Sequence, residues 1–173
     1  MISEFRRNGR EGPMFTEERH VAIEQCLREK GKVKVKELSE KFQVSEDCIR
    51  KDLKTLDKKK IIAEKAVKLI KSNETIFLDI STTNIELAKL LAESRMRVVV
   101  VSNMIDILQI LVKNPAISVI GTGGIMYQTV NGFMGAATIE VIKQYSFDRA
   151  FLGSCGVDMM DLTVTTLGVE DGL

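Results

Sequence analysis

Four runs of small polar residues stand where this chain could do chemistry: Ser81-Thr82-Thr83, Ser102-Asn103, Thr122-Gly123-Gly124 and Ser154-Cys155-Gly156. Each follows a short apolar run that reads as a strand, so all four fall on the carboxyl edge along which open α/β sheets bind ligands. The first two also start helical patterns, where backbone N–H groups and hydroxyls suit a phosphate. Any one of them is equally readable as a capped strand-to-helix turn. Four on one edge point to a small phosphorylated ligand.

A second chemistry belongs to residues 45–60, where Ile49, Leu53 and Leu56 recur at i, i+4 and i+7 and make one apolar stripe. Removing that stripe leaves Glu46, Asp47, Cys48, Arg50, Lys51, Lys54 and Lys58 exposed, with Arg50, Lys51 and Lys54 able to reach phosphates or a guanine edge. Such a face is either the solvated side of a small bundle or a surface that reads DNA. The acidic first turn suits the helix dipole and is compatible with both.

The preceding elements favour DNA. Thr16 is placed to cap a helix running to about Lys30, with Val21, Ala22, Ile23, Cys26 and Leu27 on its apolar face and Gly31 ending it. A short helix fits Val35–Phe42, and Gln43-Val44-Ser45 makes a tight turn in which Val44 plugs the core and Ser45 caps the third helix. Three helices with a three-residue turn before the last form a helix-turn-helix.

Residues 14–60 hold one glycine, whereas residues 61–173 hold nine of the twelve and alternate apolar strands with helices, so a domain boundary is expected near residue 60. The front carries 13 Lys and Arg against 10 Asp and Glu, and the rear 9 against 12, a basic front on an acidic rear. In the rear, a helix with Ile62, Ala66, Leu69 and Ile70 precedes strands at residues 75–79, 97–102, 117–121 and 148–153, with helices between them. The pattern predicts an α/β fold: an all-α helix-turn-helix module at residues 14–60, joined to a parallel sheet with helices on both faces at residues 61–173. Residues 1–13 read as a leader or vector-derived segment.

Several classes are disfavoured. Cys26, Cys48 and Cys155 are odd in number and lack CxxC spacing, which suggests free thiols in a reducing cytoplasm. The lone His20 reads as structural or surface rather than as a metal ligand, so no metal is expected. GTGGIM has Met126 where a dinucleotide fingerprint needs its third glycine, and no P-loop occurs, so no cofactor is expected. The apolar runs are too short to span a bilayer.

The stretch from TEERHVAIEQCL to VSEDCIRKDLKTLD resembles the N-terminal domain of the DeoR family of bacterial transcriptional regulators. The segments IFLDISTTNIELAKLL, VVVVSN, VIGTGG and DRAFLGSCGVD are similar to its C-terminal sensor, which shares the ribose-5-phosphate isomerase and CoA-transferase type of fold. The resemblance implies a repressor with a winged helix-turn-helix and an effector that is a phosphorylated sugar or related metabolite. It also implies a homo-oligomer on operator DNA. It makes Ser45, Cys48, Arg50, Lys51 and Lys54 the expected DNA contacts. The expected effector contacts are Asp79, Ser81, Thr82, Thr83, Ser102, Asn103, Gly123, Gly124, Gly153 and Gly156. Ser81, Asn84 and GSCG depart from the more usual family residues, which leaves the sugar open. The competing reading is a sugar-phosphate isomerase or CoA transferase, with Asp79 as its acid or base.

Between Lys60 and Ile61 the family pattern would place a β-hairpin wing and a linker, so roughly 25–30 residues and a helix break are expected there. The sensor is also expected to be incomplete at its C-terminal end.

Overall fold

The computed structural model describes residues 14–154, 156–158, 160 and 163–165. The segment read as a leader and Cys155 lie outside the described residues. Two units divide between Lys58 and Lys59.

In the first unit, α1 spans Thr16–Lys30, α2 spans Val35–Phe42 and α3 begins at Glu46. Thr16 is the first helical residue and not the cap: Arg19 N–H already bonds Phe15 O at 2.9 Å, so the helix starts on Phe15. Glu18 accepts the Phe15 N–H at 3.3 Å, while Thr16 Oγ1 takes a contact from Arg19 at 3.4 Å. Gly31 ends α1 at φ 70°, its N–H reaching Leu27 O at 2.8 Å. The turn is held by Ser39 Oγ donating to Val44 O at 2.6 Å, and Cys48 N–H bonds Ser45 Oγ at 3.2 Å, capping α3 as expected.

Ile23, Cys26, Leu38, Phe42 and Ile49 form the core of this unit, and Val44, Leu53 and Leu56 pack against it. Val21, expected in the core, is 61% exposed. The polar side chains of Arg19 and His20 are buried in its neighbourhood along α1 and meet Asp52 of α3.

The helix α3 runs unbroken over Glu46–Val67, so Lys60 and Ile61 are successive residues of one helix and the expected interruption is not met. Its first turns belong to the first unit and its last turns to the second. There Ala63, Ala66 and Val67 turn to the core, joined by Ile70 just beyond the end of the helix, while Ile62 and Leu69 are exposed. Of the four expected apolar positions, Ala66 and Ile70 meet the core, and Ile62 and Leu69 do not.

The second unit is built on β1 (Thr75–Leu78), β2 (Val98–Ser102), β3 (Ile117–Gly121) and β6 (Arg149–Phe151), all parallel in the order β3-β2-β1-β6. The helices α4 (Thr82–Glu93) and α5 (Ile105–Leu111) make the crossovers, and α6 (Ala136–Lys143) precedes β6. Ile76, Leu78, Val98 and Val100 cluster with Leu87, Leu91, Ile107 and Leu111 of those helices in a fully buried core. Strand alternation puts Phe77 and Val101 on the opposite face, where the Phe77 ring lies 5.5 Å from that of Phe147. At the amino edge Arg149 forks onto Glu74 at 3.0 and 3.2 Å, and this hydrogen bonding holds the Glu74 carboxyl below its ordinary range.

Two antiparallel pairs were not expected: β4 (Ile125–Tyr127) with β5 (Gly132–Met134), and β7 (Gly156–Asp158) with β8 (Thr163–Thr165). The first has a short helical turn over Gln128–Val130 and a left-handed Asn131, φ 47°, before Gly132. Asn-Gly is a hairpin signal in its own right and could have revealed it. Among the described residues no helix is long and apolar enough to cross a membrane.

Candidate functional site

On α3, the stripe Ile49, Leu53 and Leu56 turns inward, which leaves Ser45, Arg50, Lys51 and Lys54 exposed and Cys48 half-buried. Lys51 and Lys54 make no ion pair among the described residues. Arg50 differs: it reaches Glu46 at 2.7 Å and Asp47 at 2.8 Å, one turn back on the same helix. Exposed pairs of this kind contribute little and exchange readily for another anion.

The helix is fixed by a charge cluster that spacing alone had not revealed. Arg19 Nε donates to Asp52 Oδ2 at 2.5 Å and its terminal nitrogen to Oδ1 at 3.1 Å, while His20 Nε2 lies 3.1 Å from Oδ1. Burial pushes the Asp52 carboxyl up, but the hydrogen bonds from Arg19 and His20 outweigh it and hold it below its ordinary range. The bond to Asp52 likewise holds Arg19 more firmly protonated, against the pull of burial. Lone His20 is thus structural, one wall of a buried ion cluster between α1 and α3.

In the second unit the chain steps outward from β1 to β2 to β3, then returns to the far side of β1 as β6. The order reverses between β1 and β6, and their carboxyl ends flank the crevice where such sheets take ligands. Asp79, Ser81, Thr82 and Thr83 follow the end of β1, on one side of that switch point. Gly153 lies on the other, its N–H 3.4 Å from Asp79 Oδ2. A Cβ on Gly153 would stand 2.7 Å from Ile80 O, so the two loops touch backbone to backbone. Asn84 clamps them, its Nδ2 donating to Asp79 O at 2.9 Å and Phe151 O at 2.8 Å. A polar side chain at that helix position therefore has a local task. Ser81 Oγ accepts the Thr83 N–H at 3.2 Å and caps α4, whose first turn carries no acidic residue.

The other candidates divide. Ser102 is fully buried, donating to Leu78 O at 2.7 Å and accepting from Met104 N–H at 3.1 Å, so its hydroxyl ties β1 to β2. Asn103 is buried beside it, with Nδ2 3.4 Å from Phe133 O. Gly123 and Gly124 both have positive φ, and Thr138 of α6 donates to Gly123 O at 2.7 Å. Gly156 starts β7 opposite Thr165 instead of extending a loop. Phe133 N–H bonds Asn103 O at 2.7 Å, which lays the β4–β5 pair over the end of β2.

A model of the DeoR-like helix-turn-helix domain matches residues 19–75, and one of the DeoR C terminal sensor domain matches residues 54–170. The two overlap at 54–75, around the Lys60–Ile61 join. The regulator YulB of Bacillus subtilis is 29% identical, covering 84% of this chain and 69% of its own. GolR of Listeria innocua is 32% identical over 84% and 70%, and the Escherichia coli glycerol-3-phosphate regulon repressor 28% over 82% and 68%. The YulB alignment has 179 positions, yet 84% of 173 residues is about 145, so about 34 of its positions lack a residue from this chain. The chain belongs to the DeoR family of DNA-binding transcriptional regulators.

Proposed function

We propose that this chain is a repressor that docks α3 on operator DNA and is controlled by a phosphorylated sugar or related metabolite bound at the carboxyl edge of its sheet. The observation that carries the DNA half is the row of exposed Lys51 and Lys54 beside Arg50, on the side of α3 away from its buried stripe, behind a capped three-residue turn. Ser45 and Cys48 sit at the amino end of the same helix, where backbone N–H groups favour a phosphate. Repression follows the Escherichia coli glycerol-3-phosphate regulon repressor and AccR of Agrobacterium fabrum, both named as repressors. A homo-oligomer in the cytoplasm fits, because helix-turn-helix proteins read paired half-sites.

For the effector, the β1–α4 turn offers Ser81, Thr82 and Thr83 to the phosphate, beside Gly153. Asp79, Asn103, Gly123 and Gly124 complete the rim, and Ser102 and Gly156 hold their strands. Regulation requires that the effector bind DNA-competent and DNA-incompetent states with different affinity. We read Asp79 as a loop anchor, not a catalytic acid, since its carboxylate faces the Gly153 N–H. Turnover of ribose 5-phosphate that disappears in Asp79→Asn would favour the enzyme reading instead.

The test is fluorescence anisotropy on a duplex selected by the protein from a random pool. Lys51→Ala should weaken binding and flatten the log K against log salt slope by about 0.9, the signature of one lost phosphate contact. A slope equal to that of the wild type would remove α3 from the interface.

A further inference from the structure

Positive charge in the second unit is segregated. Residues 61–173 hold nine Lys and Arg, and five of them, Lys68, Lys71, Arg95, Arg97 and Lys113, lie in the segments that lead into β1, β2 and β3. Those strands are parallel neighbours in the order β3-β2-β1, so the five share the amino edge of the sheet. The segments that leave the sheet at its carboxyl edge, 79–83, 103–104, 122–124 and 152–154, contain no lysine or arginine.

All five side chains are exposed, and none makes an ion pair among the described residues. Two carboxylates share their segments. Glu74 is already held by Arg149, with Lys71 nearby, which leaves Glu93 against five cations. The backbone beneath them is pinned: Asn73 N–H bonds Arg97 O at 2.6 Å, and Asn114 Nδ2 donates to Ala92 O and Ser94 O, each at 3.0 Å. The charges therefore stand on a fixed rim, spread over three loops. A small anion calls for donors that converge in a concavity. A row of separate, solvated cations suits a long polyanion, whose phosphates they meet one by one with release of condensed counter-ions.

We propose that this amino edge is a second DNA contact, in which Lys68, Lys71, Arg95, Arg97 and Lys113 engage the phosphate backbone outside the bases that α3 reads. DNA is the occupant because the family binds it, and because Lys68 and Lys71 follow directly on α3, the helix that carries Lys51 and Lys54. This rests on the docking of α3 on operator DNA. Backbone contacts of this kind carry no sequence information, so they add affinity and salt dependence without changing which bases are preferred.

The test uses the full chain and the selected duplex, extended on each side by about 15 base pairs of arbitrary sequence, roughly 50 Å at 3.4 Å per step. Arg95→Gln/Lys113→Gln should flatten the log K against log salt slope by about 1.8, two phosphate contacts at about 0.9 each. The ratio of affinities for the selected and a scrambled duplex should not change. Lys89→Gln, which removes a lysine already paired with Glu86, should keep the wild-type slope. Hydroxyl-radical footprints of wild type should reach beyond the bases whose replacement alters affinity, and recede to them in the double variant. A wild-type slope or footprint in the double variant, while Lys51→Ala flattens its own slope, overturns the inference and spares the docking of α3. Equal flattening by Lys89→Gln and Arg95→Gln would reduce the effect to net charge and overturn it too. Wild type that binds no duplex overturns both.

Discussion

Asp52→Ala is expected to destabilise the helix-turn-helix unit by about 3–5 kcal/mol, the usual result of stripping one partner from a buried ion pair. The side chains of Arg19 and Asp52 are each 6% exposed. Arginine does not deprotonate in a protein, so the variant keeps a buried cation with Met14 O at 3.0 Å and Thr16 Oγ1 at 3.4 Å as its remaining partners. Exchanging Arg19 and Asp52 together for Met and Leu should cost far less, because the desolvation of both charges disappears with them. Hydrogen exchange locates the effect: amides of α1 and α2 should lose protection while those of β2 keep theirs. Equal protection in Asp52→Ala and wild type would show that the cluster is not holding the unit together.

The same residue sets an acid limit. Its folded carboxyl titrates below its unfolded value, so its contribution is complete above about pH 3.9, the ordinary aspartate value, and fades as pH falls through the lower folded value. Asp52→Asn should therefore be less stable near neutrality and show a flatter stability profile below about pH 4.

Gly124→Ala is expected to cost the second unit about 3 kcal/mol, combining backbone strain and overpacking. Gly124 has φ 121°, and an added Cβ would stand 2.2 Å from Thr138 Oγ1 and 2.9 Å from Met134 O. The first clash can be relieved by moving a side chain, but the second is with backbone and the φ cannot be relieved at all. On a Thr138→Ala background the cost of Gly124→Ala should fall only in part, as a double-mutant cycle by urea unfolding would measure. Wild-type stability in Gly124→Ala would mean that the loop between β3 and β4 is free to rearrange.

What the residues disclosed before folding follows the range of the forces involved. The limits of α2, the Gly31 stop and the Ser45 cap depend on neighbours within a turn or two, and all were legible. The strands β1 and β2 were legible because both of their faces are largely buried and their apolar runs are nearly continuous. Arg19 and Asp52 stand 33 residues apart, and no local period marks two charges that will neutralise one another in a core. Ser102 looked like a ligand group because its hydroxyl follows a strand. Only the register of β1 against β2 shows that Leu78 O claims it. Thr122 stood among the four runs as a loop residue, and only the folded chain shows it buried, 4% exposed.

The grip of Arg50 on Glu46 and Asp47 has a consequence for how ionic strength acts on this protein. A lysine that meets DNA displaces condensed cations into solution and gains their entropy. Arg50 must first leave two carboxylates, which then recruit cations of their own, so part of that release is taken back. In the proposed docking of α3, the contact of Arg50 with DNA is buffered by tethered counter-ions, and its strength is expected to be less sensitive to the salt of the medium than that of Lys51.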